Sequence, residues 1–379
     1  MKRIISKIIY SIPKVFLRKI LLMESNPDYS DNTKAVFDEL LKRKINDKIK
    51  IVWIVNNLEK FKNIKIKNVK FIKRSDKLKV RYYHTFSSFI IDSNKYIYKI
   101  NKHQKRIHLR HGETLKLSLD YCSECKDVDY IIELSSFFTD TTKRIYKVSK
   151  DQVVATGFPR NDIIVNGKPL KLFPDIKRKK TILWMPTYRN HKETKRSEYQ
   201  VGKSFIYGIP CVSNKKELLK VNDLLREQNV LLIVKLHPAE DKTNILKEEL
   251  SNIVLLDNDY FKNDETIYNY LSGTDALITD YSSIYYDYLL TGKMIGLAIP
   301  DIDEYKKHVE LLFDSYKNNV PGDVINNNKD LCQFIINVSN NKDLYKKERI
   351  EKAKLYHEYN DGNSSKRVAD LFEDILKKG

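Results

Sequence analysis

Residues 275–290, DALITDYSSIYYDYLL, decide how the rest of the chain is read. An apolar run, 275–280, closes on Tyr281-Ser282-Ser283, and a helical run from Ile284 to Leu290 begins at once. A strand that passes straight into a helix is half of a βαβ unit, whose strands lie parallel with helices packed on the sheet. Hydroxyls at a helix start cap its free N–H groups, and the same N–H groups draw phosphate. A plain cap accounts for one Ser. Two of them, following Thr279 and Asp280 at the carboxyl edge of a sheet, point to a pyrophosphate site.

The same rhythm extends outward in both directions. IVWIV (51–55), VKFI (69–72), FIID (89–92), RIHL (106–109), YIIEL (130–134) and VVATG (153–157) alternate with helical stretches. Between 163 and 180 the pattern lapses into a Gly, two Pro and a run of cations, where an interdomain linker belongs. A second set follows: TILWMP (181–186), VLLIVKLHP (230–238), IVLL (253–256), DALITD and KMIGLAI (293–299), with apolar-periodic helices at 215–227 and 265–273. The expected fold is α/β: two Rossmann-like doubly wound domains facing across a cleft, with ligands at the carboxyl ends of strands. The expected division is a basic segment at 1–22, an N-terminal domain at 23–170, a C-terminal domain at 171–356 and a last helix at 357–379. No GxGxxG or GxxxxGK[ST] loop is present, which removes the usual support for a dinucleotide fold or P-loop.

Chemistry-bearing residues gather at strand ends. After 106–109 comes Arg110-His111-Gly112-Glu113, where Gly112 permits a tight turn beside an imidazole suited to general base work. Strand 230–236 ends in Lys235-Leu236-His237-Pro238, a second imidazole at a strand terminus. Arg160 in GFPRND (157–162) and Arg189 in PTYR (186–189) sit at comparable junctions, and a guanidinium fork suits phosphate oxygens.

Composition narrows the partners. The chain has 379 residues, and Lys plus Arg outnumber Asp plus Glu by 69 to 50, a formal net charge of +19. That excess favours an anionic partner, but abundant Lys, Asn, Ile and Tyr also mark an AT-rich coding bias. Aromatic and basic residues are too evenly spread to form a nucleic-acid motif, so no nucleic-acid partner is expected. Four cysteines are too few for a disulfide scaffold, and Cys122 and Cys125 lack the second ligand pair of a zinc site. Segment 1–22 sets six cations among Ile, Leu, Val and Phe, with no run long enough to span a bilayer. It reads as an amphipathic helix broken at Pro13 and lying on an anionic membrane surface.

Taken in order, the motifs resemble the CDP-glycerol glycerophosphotransferase family of teichoic-acid primases and polymerases. They are Glu24-Ser25, Tyr29 to Ala35, His111-Gly112, GFPRND (157–162), WMPTYR (184–189), KLHP (235–238), ALITDYSSIYYDY (276–288), Asp303-Glu304-Tyr305, Gly322 and DGNSSKRV (361–368). The resemblance implies a GT-B architecture and transfer of glycerol phosphate, or ribitol phosphate, from a CDP-polyol donor with CMP leaving. The acceptor it implies is an undecaprenyl-linked saccharide or a growing surface polymer, and the enzyme's place is the cytoplasmic face of the membrane.

By the same resemblance His111 is the base on the acceptor hydroxyl and His237 a second imidazole near the donor phosphates. Ser282 and Ser283 are pyrophosphate ligands, Asp280 orients their loop or meets donor hydroxyls, and Arg160 and Arg189 are phosphate or acceptor contacts. No cofactor is required and no metal site is expected, although the reaction leaves room for a loosely bound Mg²⁺. The family usually continues Gly-Thr-Pro-Leu-Lys after its His, where this chain has Gly112-Glu113-Thr114-Leu115-Lys116. Glu113 thus adds an anion beside the presumed base, which retunes the His or reshapes the acceptor pocket. Two other functions use the same features: a nucleotide-sugar glycosyltransferase of the same fold, and a non-catalytic binder of anionic polymer or membrane. The sequence sets no oligomeric state.

Overall fold

The computed structural model of the chain describes residues 9–94, 97–117, 127–187, 207–236, 250–262 and 265–378. Two compact units divide it: Met1–Glu113 with Leu119–Asn166 and Tyr356–Gly379, and Thr114–Ser118 with Gly167–Leu355. The boundary therefore falls at 166/167 rather than 170/171. The last segment carries a helix, Ser364–Lys378, within the expected 357–379, and it counts with the first unit.

Among the described residues the first unit is built on seven parallel strands: β1 (Arg18–Glu24), β2 (Lys50–Val55), β3 (Val69–Lys73), β4 (Ser87–Asp92), β5 (Lys105–His108), β6 (Tyr130–Glu133) and β7 (Val153–Ala155). Their order in the sheet is β3-β2-β1-β4-β5-β6-β7, a doubly wound arrangement whose direction reverses between β1 and β4. β1 corrects the reading of 1–22 as one helix. Residues 14–16 form a single 3₁₀ turn, and from Arg18 the chain is extended, hydrogen-bonded to β2 on one side and β4 on the other. The cations end at Lys19, and Ile20 to Glu24 are all buried. A strand covered on both faces needs such a continuous apolar run, not a helical period.

The C-terminal helix Ser364–Lys378 closes this unit. Asp162, the last residue of GFPRND, accepts from the backbone N–H groups of Ser364 and Ser365, each at 2.8 Å. Gly157 has φ +74°, and a Cβ on it would lie 2.5 Å from the Ser364 hydroxyl, so a glycine is required where the two motifs meet. Farther along, Arg43, at the C-cap of the helix Asp31–Lys42, binds Asp370 and Glu373 at 2.6 and 2.9 Å. Phe372 packs edge-on against Phe89 of β4.

The second unit holds β8 (Lys180–Met185), β9 (Val230–Val234), β10 (Ile253–Leu255), β11 (Ala276–Thr279), β12 (Met294–Ala298) and β13 (Asp323–Ile325). Their order, β10-β9-β8-β11-β12-β13, repeats the doubly wound plan, with its reversal between β8 and β11. β8, β9, β11 and β12 are apolar and almost wholly buried. The helix Lys215–Glu227, whose bounds match the periodicity, lays Leu218, Val221 and Leu225 on one face of this core, and Asn328–Ser339 adds Leu331, Phe334 and Ile335. Trp184 is fully buried in the same cluster and places its one polar atom by donating from Nε1 to the Gly208 carbonyl at 2.8 Å. The expected helix over 265–273 shrinks to Tyr268–Leu271.

Candidate active site

In the first unit the chain leaves β5 through a tight turn that carries His111. Arg110 adopts φ +57° and Gly112 φ +149°, both in the region that side chains avoid. For Gly112 that conformation costs little, but for Arg110 it must be compensated. The compensation is visible. Its guanidinium is buried, 5.3 Å from the Tyr146 ring and 5.8 Å from the Phe158 ring, and its carbonyl accepts from Asn32 Nδ2 at 3.0 Å. Two forked bonds, at 2.9 and 2.6 Å, run from the same guanidinium to Glu113.

His111 itself stands exposed at this edge of the sheet. Its carbonyl accepts from Arg160 Nη1 at 2.7 Å, and the same nitrogen binds Asp31 at 2.8 Å. Arg160 also donates its backbone N–H to Asn32 at 3.0 Å. Arg160 therefore braces the backbone of His111. Desolvation, against the opposing pull of Asp31 and with help from the cations Arg160 and Arg110, pushes the imidazole down to about 4. Because water reaches the residue, the direction is what matters: the ring is neutral at pH 7 and ready to accept a proton.

Behind the turn lies a buried polar layer. Asp92 at the end of β4 accepts two bonds from Arg106, at 2.8 and 2.9 Å, and faces His108 Nδ1 at 2.8 Å. Burial would raise the Asp92 carboxyl, but Arg106 and His108 outweigh it and hold it below the usual range. Glu133 accepts from Thr139 and Thr142 at 2.5 and 2.9 Å, while burial pushes its carboxyl up. Glu113 does not reach His111 as a free anion, as the departure in sequence suggested, because Arg110 takes it up.

In the second unit the reversal point lies between β8 and β11, where the carboxyl ends of the two strands adjoin. Thr279 Oγ1 donates to the Met185 carbonyl at 2.8 Å, and Asp280 Oδ1 accepts from both the N–H and the hydroxyl of Thr187, each at 2.8 Å. Tyr316 donates to the Asp280 carbonyl at 2.8 Å. Tyr281 stacks on Tyr305 with ring centroids 3.9 Å apart and donates to Asp301. Thr279 and Asp280 thus orient the loop. The helix that follows, Ile284–Leu289 with Leu290 at its C-cap, lies where its periodicity suggested. Ser283 occupies its N-cap without a side-chain cap bond, and neither Ser282 nor Ser283 hydroxyl bonds to protein among the described residues. Plain capping does not account for them.

Arg189, His237, Cys122 and Cys125 lie outside the described residues. Among the described residues no group of three His, Cys, Asp or Glu side chains is placed to hold a metal ion. Asn32 holds the turn directly from 78 residues away, and both Asp31 and Asn32 hold Arg160, 129 and 128 residues away, yet within the quoted motifs neither residue carries a local sign of that role. Only their position beside a positive-φ backbone reveals it.

Known proteins point the same way. A teichoic acid ribitol-phosphate primase of Bacillus spizizenii is 26% identical over 60% of this chain and 54% of its own length. A teichoic acid poly(glycerol phosphate) polymerase of Staphylococcus epidermidis is 22% identical over 95% of this chain and 51% of its own. The chain thus spans about half the length of these relatives. The solved wall teichoic acid polymerase TagF shares the fold, with a TM-score of 0.76 at 20% identity, covering 97% of this chain and 91% of that one. TagF has also been solved after soaking with CDPG. The family model described as CDP-Glycerol:Poly(glycerophosphate) glycerophosphotransferase matches residues 8–374. The chain belongs to the CDP-glycerol:poly(glycerophosphate) glycerophosphotransferase family.

Proposed function

We propose that this chain moves glycerol phosphate or ribitol phosphate from a CDP-polyol to a lipid-linked saccharide or a growing surface polymer. The observation that carries this reading is the pair Ser282 and Ser283, whose hydroxyls are not engaged by protein among the described residues, at the strand reversal of a chain in this family. An acceptor hydroxyl attacks the phosphorus that bears the polyol, and its proton passes to neutral His111. The phosphoanhydride bond breaks, and CMP leaves with the bridging oxygen. Ser282 and Ser283 hold the pyrophosphate, and Asp280 keeps their loop in register with the end of β8. His237 acts beside the donor phosphates and Arg189 on phosphate or acceptor, the roles that the resemblance assigns them.

Purified full chain, given a lipid-linked disaccharide acceptor, is expected to release CMP from CDP-glycerol or CDP-ribitol and nothing from UDP- or GDP-sugars. Release of UDP with both CDP-polyols inert would make it a glycosyltransferase. Binding of anionic polymer without release of any nucleotide, unchanged by His111→Ala, would make it a non-catalytic binder.

The acceptor's lipid places the enzyme on the inner face of the membrane, as a peripheral protein. No helix among the described residues is long and apolar enough to cross a bilayer. Val15 and Phe16 are 81% and 60% exposed between Lys14 and Arg18, and Leu78 is 83% exposed between Lys77 and Lys79. Arg18 lies over the ring of Tyr82 at 5.5 Å, which joins the two stretches into one basic and apolar face. Each inserted apolar side chain contributes about 1.5–3 kcal/mol and each cation about 1 kcal/mol at an anionic leaflet. Phe16→Glu with Leu78→Glu is therefore expected to lower co-sedimentation with phosphatidylglycerol vesicles at least about tenfold, and salt should weaken the wild type. Equal capture of variant and wild type would place the attachment elsewhere.

A further inference from the structure

We propose that Glu113, through its buried pair with Arg110, is a positioning residue that sets where His111 presents its imidazole. This rests on the reading of His111 as the base. The pair brackets His111-Gly112 from both sides, three residues apart but not in a helix. Both side chains are almost wholly withdrawn from water, at 2% and 0% exposure, and the contact is a two-pronged fork. A fork fixes the distance and the plane between the two ends of the turn, so the two residues between them have little freedom left.

The backbone explains why such a brace is needed. Arg110 is held at φ +57° and Gly112 at φ +149°, a turn that a bulky residue does not adopt unaided. Asn32 holds the Arg110 carbonyl and Arg160 holds the His111 carbonyl, which secures the turn on its inner side. Glu113 secures its far end. The other neighbours of the guanidinium include the ring and hydroxyl of Tyr146, the ring of Phe158, the hydroxyl of Thr142, 3.4 Å away, and the carboxylate of Glu133, which senses its charge. No other carboxylate hydrogen-bonds to the guanidinium among the described residues, so without Glu113 a buried cation beside the imidazole would lose its hydrogen-bonded counter-charge.

Glu113→Gln keeps the shape and removes the charge. Its kcat is expected to fall about 10- to 100-fold, as misplacement of a reacting group by about an ångström does, with KM for CDP-glycerol within about twofold of wild type. Arg110→Met with Glu113→Leu replaces the pair by apolar side chains of similar size, which folds as well as a buried pair does. This double variant is expected to melt like wild type while kcat stays depressed. Wild-type kcat in folded Glu113→Gln, or full recovery of kcat in the double variant, would reduce the pair to packing and overturn the proposal.

A second readout does not depend on the reaction. In full chain carrying ¹⁵N-labelled histidine, the His111 ring signal is identified by its loss in His111→Ala. A shifted or broadened signal in Glu113→Gln supports positioning, and a signal identical to wild type overturns it. Should the wild type release no CMP from any CDP-polyol, the proposed reaction fails while this signal still decides the role of Glu113.

Discussion

His111→Ala is expected to lower turnover by about 10²- to 10⁴-fold, the range associated with general acid–base groups, and to leave the fold intact. The two effects separate because of where the residue sits. Its side chain is exposed, so truncation removes little packing, and surface changes of this kind usually stay within about 0.5 kcal/mol. The anchor it offers to Arg160 is a backbone carbonyl, which alanine also supplies. The pH dependence has a definite sign. A base must be unprotonated, so activity falls as pH drops through the His111 pKa. Desolvation and the neighbouring cations lower that pKa, which places the acid limb below the ordinary histidine value of about 6.5. Turnover near wild type in a folded His111→Ala protein, or an acid limb centred above 6.5, would remove His111 from this role.

The second large effect is expected at the other strand edge. Ser282→Ala with Ser283→Ala should weaken binding of the CDP-polyol donor by about 3 kcal/mol or more, a hundredfold or greater, because each hydroxyl gives up a bond to a charged phosphate worth about 1.5–3 kcal/mol. Stability should barely move, since Ser283 makes no cap bond and neither hydroxyl has a protein partner among the described residues. Calorimetry with the donor and a urea titration of the apoprotein measure the two quantities independently. Unchanged donor affinity would return the serines to a local backbone role, and a large loss of stability would show that they bind protein after all.

Much of this molecule was legible before any coordinates. Buried parallel strands need unbroken apolar runs, and such runs are visible without a partner. That is why β2, β4, β8, β9, β11 and β12 lie close to where their residues placed them. The helix Lys215–Glu227 was equally plain, because its apolar period needs nothing beyond the helix itself. β1 was not, since its first two residues are cations that continue a helix-like spacing from the segment before it. Its identity depends on β2 and β4, whose edges it fills.

The candidate site divides in the same way. His111, Ser282 and Ser283 could be read directly, because a turn glycine or a strand end beside a reactive side chain is a local pattern. The partners of these residues were a different matter. That Glu113 is neutralised by Arg110, that Arg160 supports the His111 backbone, and that Asp280 ties β11 to Thr187 all depend on side-chain direction and on contacts 3 to 93 residues apart. The sequence by itself determined which elements form and which groups stand at their ends, since hydrophobic period and turn chemistry act over a few residues. Only the tertiary structure decided which charges cancel and which hydroxyls remain available, because electrostatics and hydrogen bonding are settled by neighbours in space.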